Sequence, residues 1–168
     1  MTARDAALTA EVILHLEAQI ESARRLLATI LAQGKAIRAQ DVEGVVTRLA
    51  EIKSEMDHRA RLEAERMALL TRAGALLGID PAGVTLSALT SLMSEPEAEE
   101  ARRRSAELGG LLNEIAREHG VNRALMRQEL SFLDHLMRLV GREPEAGYTP
   151  AGAGSAAVAT HRALDLQA

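Results

Sequence analysis

Apolar residues return every three or four positions through most of the chain, the spacing that lines one side of an α-helix. From Asp5 to Ala39 this spacing predicts a first long helix. Ile13, Leu16, Ile20, Ala23, Leu27, Ile30, Gly34 and Ile37 fall at the a and d positions of four heptads, with Glu17, Glu21, Arg24 and Arg38 off the stripe. Such a helix is about 50 Å long at 1.5 Å per residue. It needs a partner along its stripe to be stable. Asp41 reads as the cap of a second helix, and the break at Gln40–Asp41 is either a tight reversal or a kink. Val42, Val45, Leu49, Ile52 and Met56 form the stripe of that helix. The pattern thins among charges from Glu55 to Arg66 and resumes, displaced, at Leu69, Ala73 and Leu76, as at a coiled-coil stutter. Gly78 and Pro81 end it.

A connector over residues 79–95 holds a short amphipathic stretch with Leu86, Leu89 and Met93 on one side. Ser94 and Glu97 have the spacing of a capping box, with Pro96 in the first turn. A third helix is expected from Pro96 to Val140, its stripe made of Leu108, Leu111, Ile115, Asn122, Leu125, Phe132, Leu136 and Leu139. After Gly141 the chain turns rich in Gly, Ala and Pro and loses its bulky apolar residues, which predicts a flexible tail. The fold class is therefore all-α: a long antiparallel helical hairpin with a third long helix packed along it. Residues 1–140 form the helical bundle domain and residues 141–168 the tail.

Composition narrows the function. Apolar residues make up 47% of the 168 residues, yet Phe132 and Tyr148 are the only aromatics, so there is little from which to build an enzyme pocket. The net charge of −4 disfavours nucleic acid as a partner. The start of the chain lacks a cleavable signal pattern and the apolar runs are too short to span a bilayer. The expectation is a cytoplasmic protein without direct membrane insertion. Cysteine is absent, and of the five histidines only His58 stands in a metal-like spacing, Glu55-x-x-His58. Di-iron bundles use that pair twice. Here it occurs once, in a charged stretch, so no metal, cofactor or catalytic residue is expected. His15 flanks the first stripe and reads as a boundary residue.

One feature exceeds what a bundle seam requires. Leu125, Met126, Leu130, Phe132, Leu133, Leu136, Met137, Leu139 and Val140 spread over about half the circumference of the third helix at about 100° per residue. Either another helix of the fold or a homodimer covers this face, or it is a groove for an amphipathic partner helix, with Met126 and Met137 as adaptable contacts.

At NRALMRQELSFLDHLMRLVG, followed by YTPAG, the chain resembles the FlgN-type flagellar export chaperones. That family carries two asparagines three apart, a leucine pair, a serine–leucine–phenylalanine-like stretch and a tyrosine–x–x–glycine-like element. Asn122 matches the second asparagine, and His119 departs from the first. Leu125–Met126 matches the leucine pair, Ser131–Phe132–Leu133 the next stretch, and Tyr148 with Gly152 the last, at altered spacing. The resemblance implies type III flagellar export of the hook-associated proteins FlgK and FlgL, without nucleotide or metal. It implies cargo contacts at Asn122, Leu125, Met126, Ser131, Phe132, Leu133, Leu136, Met137 and Val140. It also implies docking of Tyr148 to the cytosolic domain of the export gate FlhA. The alternative is a structural coiled-coil scaffold or adaptor, or a secretion chaperone for different cargo.

Overall fold

The computed structural model describes the backbone of residues 3–140 and the side chains of residues 7–138. Regular structure among them is helical: α1 (Ala3–Arg38), α2 (Val42–Leu77), a 3₁₀ turn (Pro81–Gly83), α3 (Leu86–Thr90) and α4 (Glu95–Val140). Two compact units meet in sequence at Ser131 and Phe132. The first holds α1 to α3 and α4 through Ser131; the last turns of α4 belong to the second. The tail expected from residue 141 lies outside the described residues.

Local chemistry sets each boundary. α1 ends in a reversal, not a kink. Gln40 takes a left-handed φ of 55°, its N–H donates to the Ile37 carbonyl, and the Asp41 N–H donates to that of Ala36, both at 3.0 Å. This Schellman pairing satisfies carbonyls that the helix end would otherwise orphan. Asp41 then caps α2 by accepting from the Gly44 N–H at 2.9 Å. α2 stops at Gly78, whose φ of 68° suits a residue without Cβ. Thr85 caps α3, accepting from the Ala88 N–H at 3.2 Å. At the start of α4 the backbone N–H and hydroxyl of Ser94 both donate to Glu97, at 2.9 and 2.6 Å. The expected reciprocal cap is thus present at its carboxylate side.

Cross-helix pairs fix the topology. Partners on α2 fall in number as those on α1 rise: Glu11 with Arg72, His15 with Glu65, and Arg25 with Glu55. The hairpin is antiparallel. Partners on α4 rise instead, Glu17 with Arg104, Arg24 with Glu107, and Ile30 with Asn122. α4 therefore runs parallel to α1.

Because α1 is packed by two helices, its buried arc is wider than an a/d seam. Of the expected stripe, Ile20, Ala23, Ile30, Gly34 and Ile37 are buried, while Ile13, Leu16 and Leu27 are only half-buried. Leu8, Val12 and Leu26 are buried too, together with Thr9, Gln19, Ser22 and Gln33. The main apolar cluster lies at one end, where Leu8 and Val12 of α1 meet Leu69 and Ala73 of α2. The connector closes it with Val84, Leu89, Leu92 and Met93. Ala98 and Ala101, buried near the start of α4, allow close helix approach there.

The stripe expected for α2 is corrected. Val42, Leu49, Met56 and Leu76 are exposed, Val42 by 74%, while Val45, Ile52, Leu69 and Ala73 are buried or half-buried as expected. The buried or half-buried line runs instead through Val45, Arg48, Ile52, Glu55, Arg59, Leu62, Leu69 and Ala73. It keeps steps of three and four across the supposed displacement, apart from exposed Arg66, so the helix needs no stutter. The long stems of Arg and Glu cover apolar surface while their heads find partners. The stripe of α4 is likewise corrected at its end. Leu108, Leu111, Ile115 and Leu125 are half-buried and Asn122 is buried, but Phe132 and Leu136 are exposed.

Burial yields a direct stability test. Ile20 is 4% exposed, so Ile20→Ala should cost about 2–4 kcal/mol in urea unfolding. Leu49→Ala, on the outward side of α2, should stay within about 0.5 kcal/mol of the parent when both are unfolded at concentrations low enough to keep the chain monomeric. Equal losses would place the outer line of α2 in the core.

Candidate partner-binding surface

The residues expected to contact cargo separate into two environments. In the first unit, Asn122 is 2% exposed and sits inside the bundle. Its side-chain amide donates to the Ile30 carbonyl at 2.8 Å and to Gln33 Oε1 at 3.2 Å. Asn122 is therefore inside the bundle, as its place on the expected stripe of the third helix implies, where the Ile30 carbonyl and the Gln33 side chain of α1 accept its amide. Leu125 and Met126 are half-buried, and Leu130 and Ser131 are exposed. In the second unit, Phe132 (55%), Leu133, Leu136 and Met137 (75%) are all exposed. These four fall within about 140° of the helix circumference at about 100° per residue. Arg138 and Asp134, paired at 2.5 Å, lie on the polar side. The side chain of Val140 and the whole of Tyr148 lie outside the described residues.

Gly34 explains how Asn122 fits. A Cβ at position 34 would stand 2.6 Å from Asn122 Oδ1, closer than real Cβ contacts come. The heptad reading placed Gly34 on the seam as a small residue. It did not reveal that the space is reserved for a carboxamide. Gln33, fully buried beside it, has Nε2 without a hydrogen-bond partner among the described residues.

Elsewhere the polar groups are committed to structure. The Ser22 hydroxyl donates to Glu55 at 2.6 Å, and Arg25 reaches the same carboxylate at 3.1 and 3.3 Å. Burial works against charge on Glu55, but the Arg25 and Ser22 bonds outweigh it and hold the carboxyl below its usual range. The Glu55-x-x-His58 pair thus commits its carboxylate to α1; Glu55, His58 and Arg59 are half-buried, while most of the charged stretch to Arg66 is exposed, as expected. Burial pushes the His15 imidazole down, against the opposing pull of Glu65. Gln19 Nε2 donates to His15 Nε2 at 3.3 Å, which leaves the neutral ring's proton on Nδ1, 3.8 Å from Glu65. Among the described residues, no group of three or more His, Asp or Glu side chains is placed to hold a metal ion. No described helix is long and apolar enough to cross a membrane.

The described chain is an all-α fold of long packed helices, with large apolar side chains exposed on the last turns of α4. The chain belongs to the FlgN family: the family model described as FlgN protein matches residues 1–156. This is a family of flagellar export chaperones and not an enzyme family. No curated protein and no solved structure matches the chain.

Gly34→Ala tests the seat of Asn122. Alanine favours a helix over glycine by about 1 kcal/mol, yet the methyl must displace the amide and strip two buried hydrogen bonds. A net loss on the order of 2 kcal/mol in urea unfolding is expected. A variant as stable as its parent would show that Asn122 is not seated on Gly34.

Proposed function

We propose that the exposed apolar side of the last turns of α4 holds the hook-associated proteins FlgK and FlgL in the cytoplasm before their export. The observation that carries this reading is the exposure of Phe132, Leu133, Leu136 and Met137 on one side of a helix. Large apolar groups left in water at helical spacing are the anchors that an amphipathic partner helix buries. Phe132 brings the largest contact, and Met137 the most adaptable one. Leu125, Met126, Ser131 and Val140 border the same stretch in sequence. Binding of this kind needs neither nucleotide nor metal, because burial of apolar area supplies the driving force. It also keeps an aggregation-prone segment of the cargo covered until release.

Delivery to the cytosolic domain of FlhA is assigned to Tyr148, on the family resemblance. A tyrosine in a Gly/Pro-rich segment combines a large rigid ring with a hydroxyl, which suits an interface anchor. A scaffold or adaptor built on coiled-coil contacts is the second reading, and the exposed heptad line on α2 favours it.

One titration experiment separates the parts. Met137→Glu should abolish capture of FlgK and FlgL in calorimetry while helicity is unchanged, because the carboxylate would be buried in the complex. Tyr148→Ala should leave cargo affinity intact and weaken binding of the loaded chaperone to the FlhA cytosolic domain. Unchanged cargo affinity in Met137→Glu, or unchanged FlhA affinity in Tyr148→Ala, would remove the corresponding assignment.

A further inference from the structure

The first unit carries an apolar line that neither the fold nor cargo binding absorbs. On α2, Val42, Val46, Leu49, Met56 and Met67 are all exposed. At about 100° per residue they fall within about 80° of one another, more than a quarter-turn away from the line that packs on α1. Lys53, Ala60 and Glu63, also exposed, lie on the same line. The complete series 42, 46, 49, 53, 56, 60, 63 and 67 alternates steps of four and three. That is the repeat of a coiled-coil seam about 38 Å long. A helix that packs on α1 with one heptad line and shows a second one to solvent is built for two neighbours.

The two charged members of the line identify the second neighbour. Lys53 and Glu63 lie equally far, five residues, from position 58. If another copy of α2 runs antiparallel with a two-fold axis at that level, each Lys53 faces the partner copy's Glu63. Leu49 then meets the partner copy's Met67, and Met56 meets its Ala60. A parallel, in-register pairing would instead set Lys53 against Lys53 and Glu63 against Glu63, and like charges across a seam are strongly disfavoured. In the isolated chain Lys53 reaches Asp57 at 3.5 Å and Glu63 reaches Arg66 at 2.8 Å. Both are exposed intrahelical pairs of little energetic weight, so the side chains are free to turn outward.

We propose that a second copy of this chain is the occupant, in an antiparallel homodimer seamed by the outer line of α2. The self-complementary charge order sets both the direction and the register, and Val42 and Val46 extend the apolar contact at each end. The face is distinct from the apolar side of the second unit, so dimerisation and cargo capture use different residues.

Sedimentation equilibrium of the full chain over a range of concentrations tests this. The parent is expected to dimerise. Leu49→Glu with Met56→Glu should leave a monomer of unchanged helicity. The decisive series uses charges that the fold does not bury. Lys53→Glu alone and Glu63→Lys alone should each weaken the dimer by about tenfold or more. The double reversal, Lys53→Glu with Glu63→Lys, should restore affinity to near that of the parent. A parent that stays monomeric at the highest concentration overturns the proposal and gives the line to a different partner. A dimer insensitive to the single reversals, or not rescued by the double one, overturns it as well. All these readouts are independent of FlgK, FlgL and FlhA, so failure here leaves the cargo reading untouched.

Discussion

α1 is held from two sides at once. α2 lies against one flank and α4 against another, so α1 must bury residues at 8, 12, 19, 26 and 33 as well as at the nominal seam positions. That width determines what the other helices have to be. Each of them faces α1 with a single line, and α2 also meets the connector at its C-terminal end. At the end closed by the connector, apolar residues fill the shared space. Towards the hairpin turn, α1 buries Gln33 and Gly34 against Asn122, and the contact becomes polar. A long helical interface made of small and apolar residues can slide by one heptad at little cost. A buried carboxamide that fits one glycine and one carbonyl cannot. The polar contact sets register at some expense in stability, the best-attested use of such groups.

The sequence revealed a good deal of this and missed one point repeatedly. Element number, order and ends were legible because caps and breakers are local chemistry: Asp41 on Gly44, Gly78 with a left-handed φ, Ser94 on Glu97. The face each helix buries was harder. On α2 two heptad lines run side by side, and the more apolar one faces solvent. Counting apolar residues mixes the two lines: Val45, Ile52, Leu69 and Ala73 belong to the buried one, which also passes through Arg48, Glu55 and Arg59, while Val42, Leu49 and Met56 belong to the exposed one. Only the partner decides this, since Glu55 is tolerable inside because Ser22 and Arg25 stand across from it. The break at Gln40–Asp41 is legible, but its local pattern leaves a reversal and a kink both open, because the turn hangs on Gln40 in a conformation usually given to glycine.

For the candidate surface, the breadth of the apolar arc near the end of α4 was readable, and the exposure of Phe132, Leu133, Leu136 and Met137 agrees with it. Spacing puts Asn122 on the inward stripe of the third helix, and only the motif groups it with the arc. Spacing shows that it shares a side with Leu125, but not that α1 offers it the Ile30 carbonyl and a glycine. Its hydrogen bonds to α1 make Asn122 a residue of the fold, and its loss is expected to be felt in stability.

The charged residues complete the division of labour. Nearly every described ion pair is exposed on at least one side, and pairs of this kind contribute little to stability. Their value lies in direction. Glu11 with Arg72 and Arg25 with Glu55 are satisfied only in an antiparallel hairpin, and Glu17 with Arg104 only with α4 parallel to α1. The apolar stripes supply attraction without orientation, and the polar pairs supply orientation with little attraction. The exposed apolar groups on α2 and at the end of α4 are the same kind of stripe that the fold buries, and the polar pairs help distinguish the helix faces that belong inside from those that do not.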